Sequence, residues 1–253
     1  MGNMSKSRCY NESCAVLSIC LNPCIGGEAI LLPTNKIVRM ELYFAINCLR
    51  AIFETYKSEM FNKLRQQLEC EITVSAELML QLEARGVILR FHKNEYVLQA
   101  GEVCDFSCFI QYGCFIHLHI NADGKESIIG FAVDEAYSFF SSPESYFTRQ
   151  PSVCGIRALE DSMVIRYSRT DLDELCITFP EFSTFYYKII ADGFLTLYKF
   201  NTLRLTLTST EFLKYLLTKQ PIYLQRIPDK YIALFMGISK EWLCKLKTKI
   251  LRS

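Results

Sequence analysis

Near the C-terminus the chain places Lys240, Glu241, Trp242, Lys245, Lys247 and Lys249 ahead of Arg252. Ammonium groups repeated over a few helical turns are what a polyanionic phosphate backbone attracts. Leu243, Leu246 and Ile250 recur at helical spacing in the same run, so the predicted helix is apolar on one side and basic on the other. Charge alone favours a solvated lysine face on an ordinary helix; the residues before it argue for more. Ile232, Ala233 and Met236 form the inner face of a preceding helix. Gly237 can take the positive φ of a sharp turn, Ile238 can plug the angle, and Ser239 stands where an N-cap belongs. Small Ala233 lets the two helices cross at close range. This is helix-turn-helix spacing, and it predicts contacts to double-stranded DNA from Ser239, Lys240, Glu241, Lys245, Lys247 and Lys249.

Net charge over the 253 residues is only +1. From Arg226 to Ser253, however, seven Lys or Arg stand against two acidic residues, so the basic balance is local, as expected of a nucleic-acid-binding arm on a neutral sensor. Half of the residues are hydrophobic, enough for one large or two small cores. The 12 cysteines are scattered rather than set in a disulfide framework, and read as reduced thiols. The short apolar run Ala15 to Leu21 is preceded by Glu12 and stopped by Asn22-Pro23, which argues against a signal peptide or a membrane span. A soluble, cytoplasmic protein is expected.

The elements that must position the basic helix follow in order. Residues 1–39 read as a disordered or spurious N-terminal extension. Cys9, Cys14, Cys20 and Cys24 cluster there without the paired spacing of a zinc ribbon and without histidine. Residues 40–86 are a helical lead-in, in which Leu42 to Phe53 and then Phe61, Leu64 and Leu68 form an apolar stripe and Ser75 opens a further helix supported by Leu78, Leu80 and Leu82. At Val87 the period changes to two. Seven short β-rich runs lie between Val87 and Ser168, with Gly101, Gly113 and Asp123-Gly124 at the corners. The predicted class is α+β: an antiparallel β-roll of jelly-roll type over residues 87–178, a long helix over 179–207 and a helical domain over 208–253, in which Ser209 caps the first helix. Along the long helix Phe182, Phe185, Ile189, Leu197, Phe200 and Leu203 recur at helical spacing, while Tyr186, Ile190 and Phe194 widen the apolar face. Such width calls for two partners, and predicts a symmetric helix seam in a homodimer.

This order of elements, with Ala100-Gly101-Glu102, Gln111-Tyr112-Gly113, Asp123-Gly124-Lys125-Glu126, Arg157-Ala158-Leu159-Glu160-Asp161, Phe179-Pro180-Glu181-Phe182 and Gly237-Ile238-Ser239, resembles the Crp/Fnr family of bacterial transcription regulators over about Val87 to Lys249. The short tail and Gln150-Pro151-Ser152 are most similar to its Bacteroidetes branch. The resemblance implies a homodimer that recognises a two-fold symmetric DNA site and acts on RNA polymerase, usually under a small-molecule effector. By the same resemblance the recognition contacts fall on Lys240, Glu241 and Lys245, suited to guanine acceptors and a cytosine amino group, while Lys247 and Lys249 suit phosphate. Relatives that bind cyclic AMP use a Gly-Glu pair for the ribose and an Arg-Ser pair for the phosphate. Alignment through Arg157-Ala158 places Ser141-Ser142 and Ser152-Val153 there instead, a degenerate effector pocket without the cation a buried phosphate needs.

No catalytic triad, phosphate-cradling loop or paired carboxylate site stands out, so an enzyme is not expected and no cofactor is assigned. His117 and His119 share a strand face with Cys108 or Cys114 nearby, a set that could in principle ligate a metal; strand positions of this kind are more often structural. Two other readings stay open: a sensor or scaffold that keeps the roll but has lost DNA binding, and an iron-sulfur redox regulator that uses the N-terminal cysteines.

Overall fold

The computed structural model describes residues 59–136 and 138–251, with single residues 43, 47 and 57 before them. Residues 1–39, and with them Cys9, Cys14, Cys20 and Cys24, lie outside the described residues. No described helix is long and apolar enough to cross a membrane.

Helical residues 59–69 (α1) bury Phe61, Leu64 and Leu68, as the apolar stripe predicts. Ser75 then caps α2 (Ala76–Arg85), its hydroxyl accepting from the Leu78 amide at 3.1 Å. The inner face of α2 is Leu78, Met79 and Leu82, while Leu80, expected to be inward, faces solvent. Eight strands follow: β1 (Val87–Phe91), β2 (Tyr96–Leu98), β3 (Phe106–Tyr112), β4 (Cys114–Ile120), β5 (Glu126–Val133), β6 (Phe139–Phe140), β7 (Gly155–Ala158) and β8 (Ser162–Ser168). They form two antiparallel four-stranded sheets, ordered β1-β8-β3-β6 and β2-β7-β4-β5. Positive φ at Gly101, Gly113 and Gly124 makes the corners. At Gly113 a Cβ would come within 2.1 Å of the Ser162 hydroxyl, so that turn admits no side chain. Strand β6 and a short helix, α3 (Pro143–Thr148), were not expected; two residues and six residues are too short for periodicity to mark.

After the roll come α4 (Arg169–Thr178), α5 (Pro180–Thr206), α6 (Ser209–Lys219), α7 (Pro221–Arg226), α8 (Asp229–Met236) and α9 (Lys240–Leu251). The cap of α6 is Thr208 rather than Ser209. A capping box needs the hydroxyl three residues before the carboxylate, and Thr208 and Glu211 satisfy each other in this way. Pro221 ends α6 and, at the first position of a helix, starts the turn and a half of α7.

The position of the C-terminal helices depends on the alternation of β4. Phe115 faces the roll interior, while Cys114, Ile116 and Leu118 face the other way, into a core shared with Phe212, Leu213, Leu216, Phe235 and Leu243. The outer face of this sheet is therefore covered by the chain's own helical domain. Phe131 of β5 meets Phe235 of α8 with centroids 4.9 Å apart, and Phe235 meets Phe200 of α5 at 5.5 Å. Around this ring cluster Arg226 of α7 pairs with Asp134, Glu135 and Glu160, and Glu126 pairs with both Arg157 and Lys230 at 3.3 Å.

The same alternation separates the residues considered as metal ligands. His117 faces inward, edge-on to Phe140 at 6.3 Å, and cannot share an ion with Cys114 on the opposite face of its strand. His119 meets the Val153 carbonyl at 2.9 Å. Burial raises the thiol pKa of Cys108, and that of Cys114 to about 12, so both stay protonated. Among the described residues no group of three or more His, Cys, Asp or Glu could hold a metal ion.

Two outcomes are expected. Phe235→Ala empties the centre of the ring cluster and lowers unfolding free energy in urea by about 3–5 kcal/mol, whereas Trp242→Ala changes it by less than about 0.5 kcal/mol. Burial lowers the His117 pKa from 6.5 to about 4, so between these values the unfolded chain binds a proton that the folded one does not. Stability is present at neutral pH and is lost as pH falls from about 6.5 toward 4. Between pH 7 and pH 5 the loss is about 1–2 kcal/mol, and His117→Phe removes that share of it in urea titrations at the two pH values.

Candidate nucleic-acid interface and effector cavity

The turn between α8 and α9 is built by local geometry. Gly237 has φ 70°, and its amide reaches the carbonyls of Ala233 and Leu234, while the Ile238 amide donates to Ala233 O at 3.0 Å. Ser239 Oγ accepts from the Trp242 amide at 3.1 Å and so caps α9. Ile232, Ala233 and Phe235 are the buried side chains of α8; Met236, expected among them, is only partly covered, because Phe235 holds the contact with the roll. Leu243 and Leu246 are buried and Ile250 partly so, as the spacing predicts.

The outer side of α9 remains open although α8 is docked on the roll. Ser239, Lys240, Glu241, Lys245 and Lys249 are all exposed. The carboxylate of Glu241 is bonded by its own amide and by the Ser239 hydroxyl, which holds its pKa below the usual carboxylate value at a helix N-terminus. Lys247 differs from its neighbours: it is partly buried and bonded to Asp229, so it joins the two helices instead of pointing outward. Trp242, 48% exposed, lies on the open surface and not beneath the helix.

Ser142 and Ser152, one from each of the two aligned pairs, are brought together in space. Their hydroxyls share a 2.7 Å hydrogen bond, and Ser152 Oγ also donates to the Cys154 carbonyl at 2.7 Å, so Ser142 is the donor to Ser152. Ser145 is saturated as well, accepting from the Cys104 amide and donating to the Gln150 carbonyl. Val153 is 54% exposed and turned away. Arg149 is exposed at a positive φ; Arg157 is engaged by Glu126, and Arg169 by Asp173 and the carbonyls of Tyr146 and Phe147.

Ser141 borders a cavity of about 510 Å³ between the roll, α3, α5 and the C-terminal helices. From the roll it is lined by Ser107, His117, Ile129, Gly130, Phe131, Ala132, Phe139 and Phe140. From α3 come Pro143, Glu144, Tyr146, Phe147 and Thr148, and from α5 Tyr186, Ile189, Ile190, Gly193, Phe194, Thr196, Leu197 and Phe200. Tyr223 and Phe235 close it from the C-terminal domain. Sequence reading placed only Ser141 of these in an effector site; strand alternation marks His117 as inward, but no local signal brings it to α5.

The seam residues divide among several environments. Phe182 and Phe185 are buried with α1, α2 and α4, and Phe200 is buried in the C-terminal core, so these three cannot face a partner. Ile189 and Leu203 pack partly against the same two cores. Of the six, Leu197 alone is well exposed, and it continues a strip formed by Tyr187, Ile190, Phe194 and Tyr198, the last two 66% and 64% exposed and stacked at 6.4 Å. Sequence spacing found the helix and its excess width but chose the covered face.

Residues 88–179 match the cyclic nucleotide-binding domain family. The fold is similar to that of FixK2 from Bradyrhizobium japonicum, with TM-score 0.56 and 14% identity over 66% of this chain and 85% of that one. It is also similar to the c-di-GMP responsive global regulator CLP of Xanthomonas campestris, with TM-score 0.54 and 16% identity over 70% and 92%. A protein of Eubacterium rectale described as a transcriptional regulator of the Crp/Fnr family gives TM-score 0.52 and 12% identity over 68% and 82%. No curated protein matches in sequence. Residues 88–179 thus match the cyclic nucleotide-binding domain family model, and the fold of the chain is similar to that of these regulators.

Proposed function

We propose that the chain is a homodimeric, sequence-specific DNA-binding transcription regulator whose roll does not read cyclic nucleotides. The observation that carries this reading is the second helix of the pair, which presents Lys240, Lys245 and Lys249 to solvent while its Leu face is buried. An ammonium at Lys245 suits the O6 and N7 acceptors of guanine in the major groove; Lys249, one turn further on, suits phosphate. Lys247 is left out because Asp229 holds it. Glu241, engaged at the helix N-terminus, is set toward orienting the cap more than toward reading a base.

Two-fold pairing is supported by the open strip on α5, since aromatic side chains along one face of a 27-residue helix are poorly stable in water and are covered by a copy of the same strip across a dyad. Absence of cyclic-nucleotide binding is supported by the Ser142–Ser152 pair, which satisfies itself where a phosphate would need a cation. RNA polymerase as a further partner and a cytoplasmic location rest on the family resemblance.

Lys245→Ala is expected to abolish preference for a palindromic fragment over random DNA. Lys249→Ala should weaken both alike and reduce the salt slope of the association constant by about 0.9, measured by fluorescence anisotropy between 50 and 200 mM salt. No binding by the unaltered protein at low salt would refute the DNA reading. In sedimentation velocity the unaltered chain is expected to run as a dimer and Phe194→Glu as a folded monomer; a monomeric unaltered chain at micromolar concentration would refute the pairing.

A further inference from the structure

The cavity between the roll, α5 and the C-terminal helices has walls that suit a different class of ligand from the family domain's name. Its lining is dominated by aromatic and aliphatic side chains, and no Lys or Arg reaches it; its one carboxylate is Glu144, which repels an anion. Its volume of about 510 Å³ lies within the range of about 300–1,000 Å³ usual for small-molecule sites.

Two glycines make this space. Gly193 lies inside the long helix α5 and Gly130 inside strand β5, and both border the cavity. A Cβ added at either would meet nothing within 4 Å. Glycine within a helix is destabilising relative to alanine, yet no neighbour crowds Gly193; what its missing side chain leaves is room. Polar groups are few but placed. No described residue hydrogen-bonds the ring of His117, and Tyr186 donates to Tyr146 at 3.0 Å along one wall. A partly buried imidazole facing an apolar chamber is a handle for a single polar group on a ligand.

We infer that this cavity binds a neutral, ring-bearing small molecule, whose apolar body packs on Phe131, Phe140 and Phe235 and whose polar group meets His117. Because Tyr223 and Phe235 line it from the C-terminal domain, an occupant touches the same rings that hold that domain on the roll. Ligand state and docking of the helix pair are thereby linked. Only this last consequence rests on the DNA-binding reading; occupancy itself does not.

The test is a fluorescence titration of the full chain with N-phenyl-1-naphthylamine, an uncharged probe whose emission rises in apolar surroundings. Saturable emission at micromolar probe, one per chain, is expected. Gly193→Leu, which fills the space, is expected to weaken binding at least tenfold while leaving the thermal midpoint unchanged or higher. If Gly193→Leu does not fold, Gly130→Val fills the chamber from the opposite wall and takes its place in the comparison. Lack of saturable emission, or equal affinity in the filled variant, overturns the site; displacement of the probe by micromolar cyclic AMP overturns the ligand class. Failure of the chain to bind DNA leaves this titration untouched, so the two readings fail separately.

Discussion

The structure depends on the burial of a sheet face that an ordinary roll would leave polar. Cys114, Ile116 and Leu118 of β4 with Phe131 of β5 present an apolar outer surface, and the C-terminal helices close over it through Phe212, Leu213 and Phe235. Phe131, Phe200, Tyr223 and Phe235 form a chain of ring contacts between 4.9 and 6.0 Å, in the edge-on and tilted geometries that aromatic quadrupoles favour. Without that cover, the roll would expose an aliphatic stripe and the short helices α7 and α8, of six and eight residues, would have too little face of their own to persist.

Charge defines how the two surfaces meet more than how strongly. Arg226 sits among Asp134, Glu135 and Glu160, and Arg157 and Lys230 share Glu126, all at the margin of the ring cluster. Partly exposed pairs contribute about 0–1 kcal/mol each, so the rings supply most of the attraction and the ions set the register. The register decides which surface stays open. It turns α8 toward the roll and leaves the lysine side of α9 in solvent, so the helix pair is docked but its basic face is not covered.

The long helix connects these parts. Its first turns hold Phe182 and Phe185 against α1, α2 and α4, and its last turns hold Phe200 and Leu203 against the C-terminal core. Between these anchors one side borders the cavity at Ile189 and Gly193, another carries the open strip of Tyr187 and Tyr198, and Phe194 belongs to both. Anchored at both ends, the helix thus touches the cavity, the strip and the docked domain at once.

The amino-acid sequence by itself determined the features that a few neighbouring residues decide. These include the strands from their period of two, the corners at Gly101, Gly113 and Gly124, the Ser75 and Ser239 caps, the Gly237 turn and the inward Leu243 and Leu246. The hydroxyl pairing of Ser142 with Ser152 was not legible: the alignment placed each at a different ligand-binding pair, and only the fold brings them within 2.7 Å. Only the tertiary structure decided which of several apolar faces is covered. Phe182, Phe185 and Phe200 are of the same residue type as Phe194, and burial depends on surfaces tens of residues away that periodicity does not encode. For the same reason the withdrawal of Lys247 by Asp229, the cavity behind His117 and the domain docking through Phe235 appear only when β5, α5 and α8 are brought side by side.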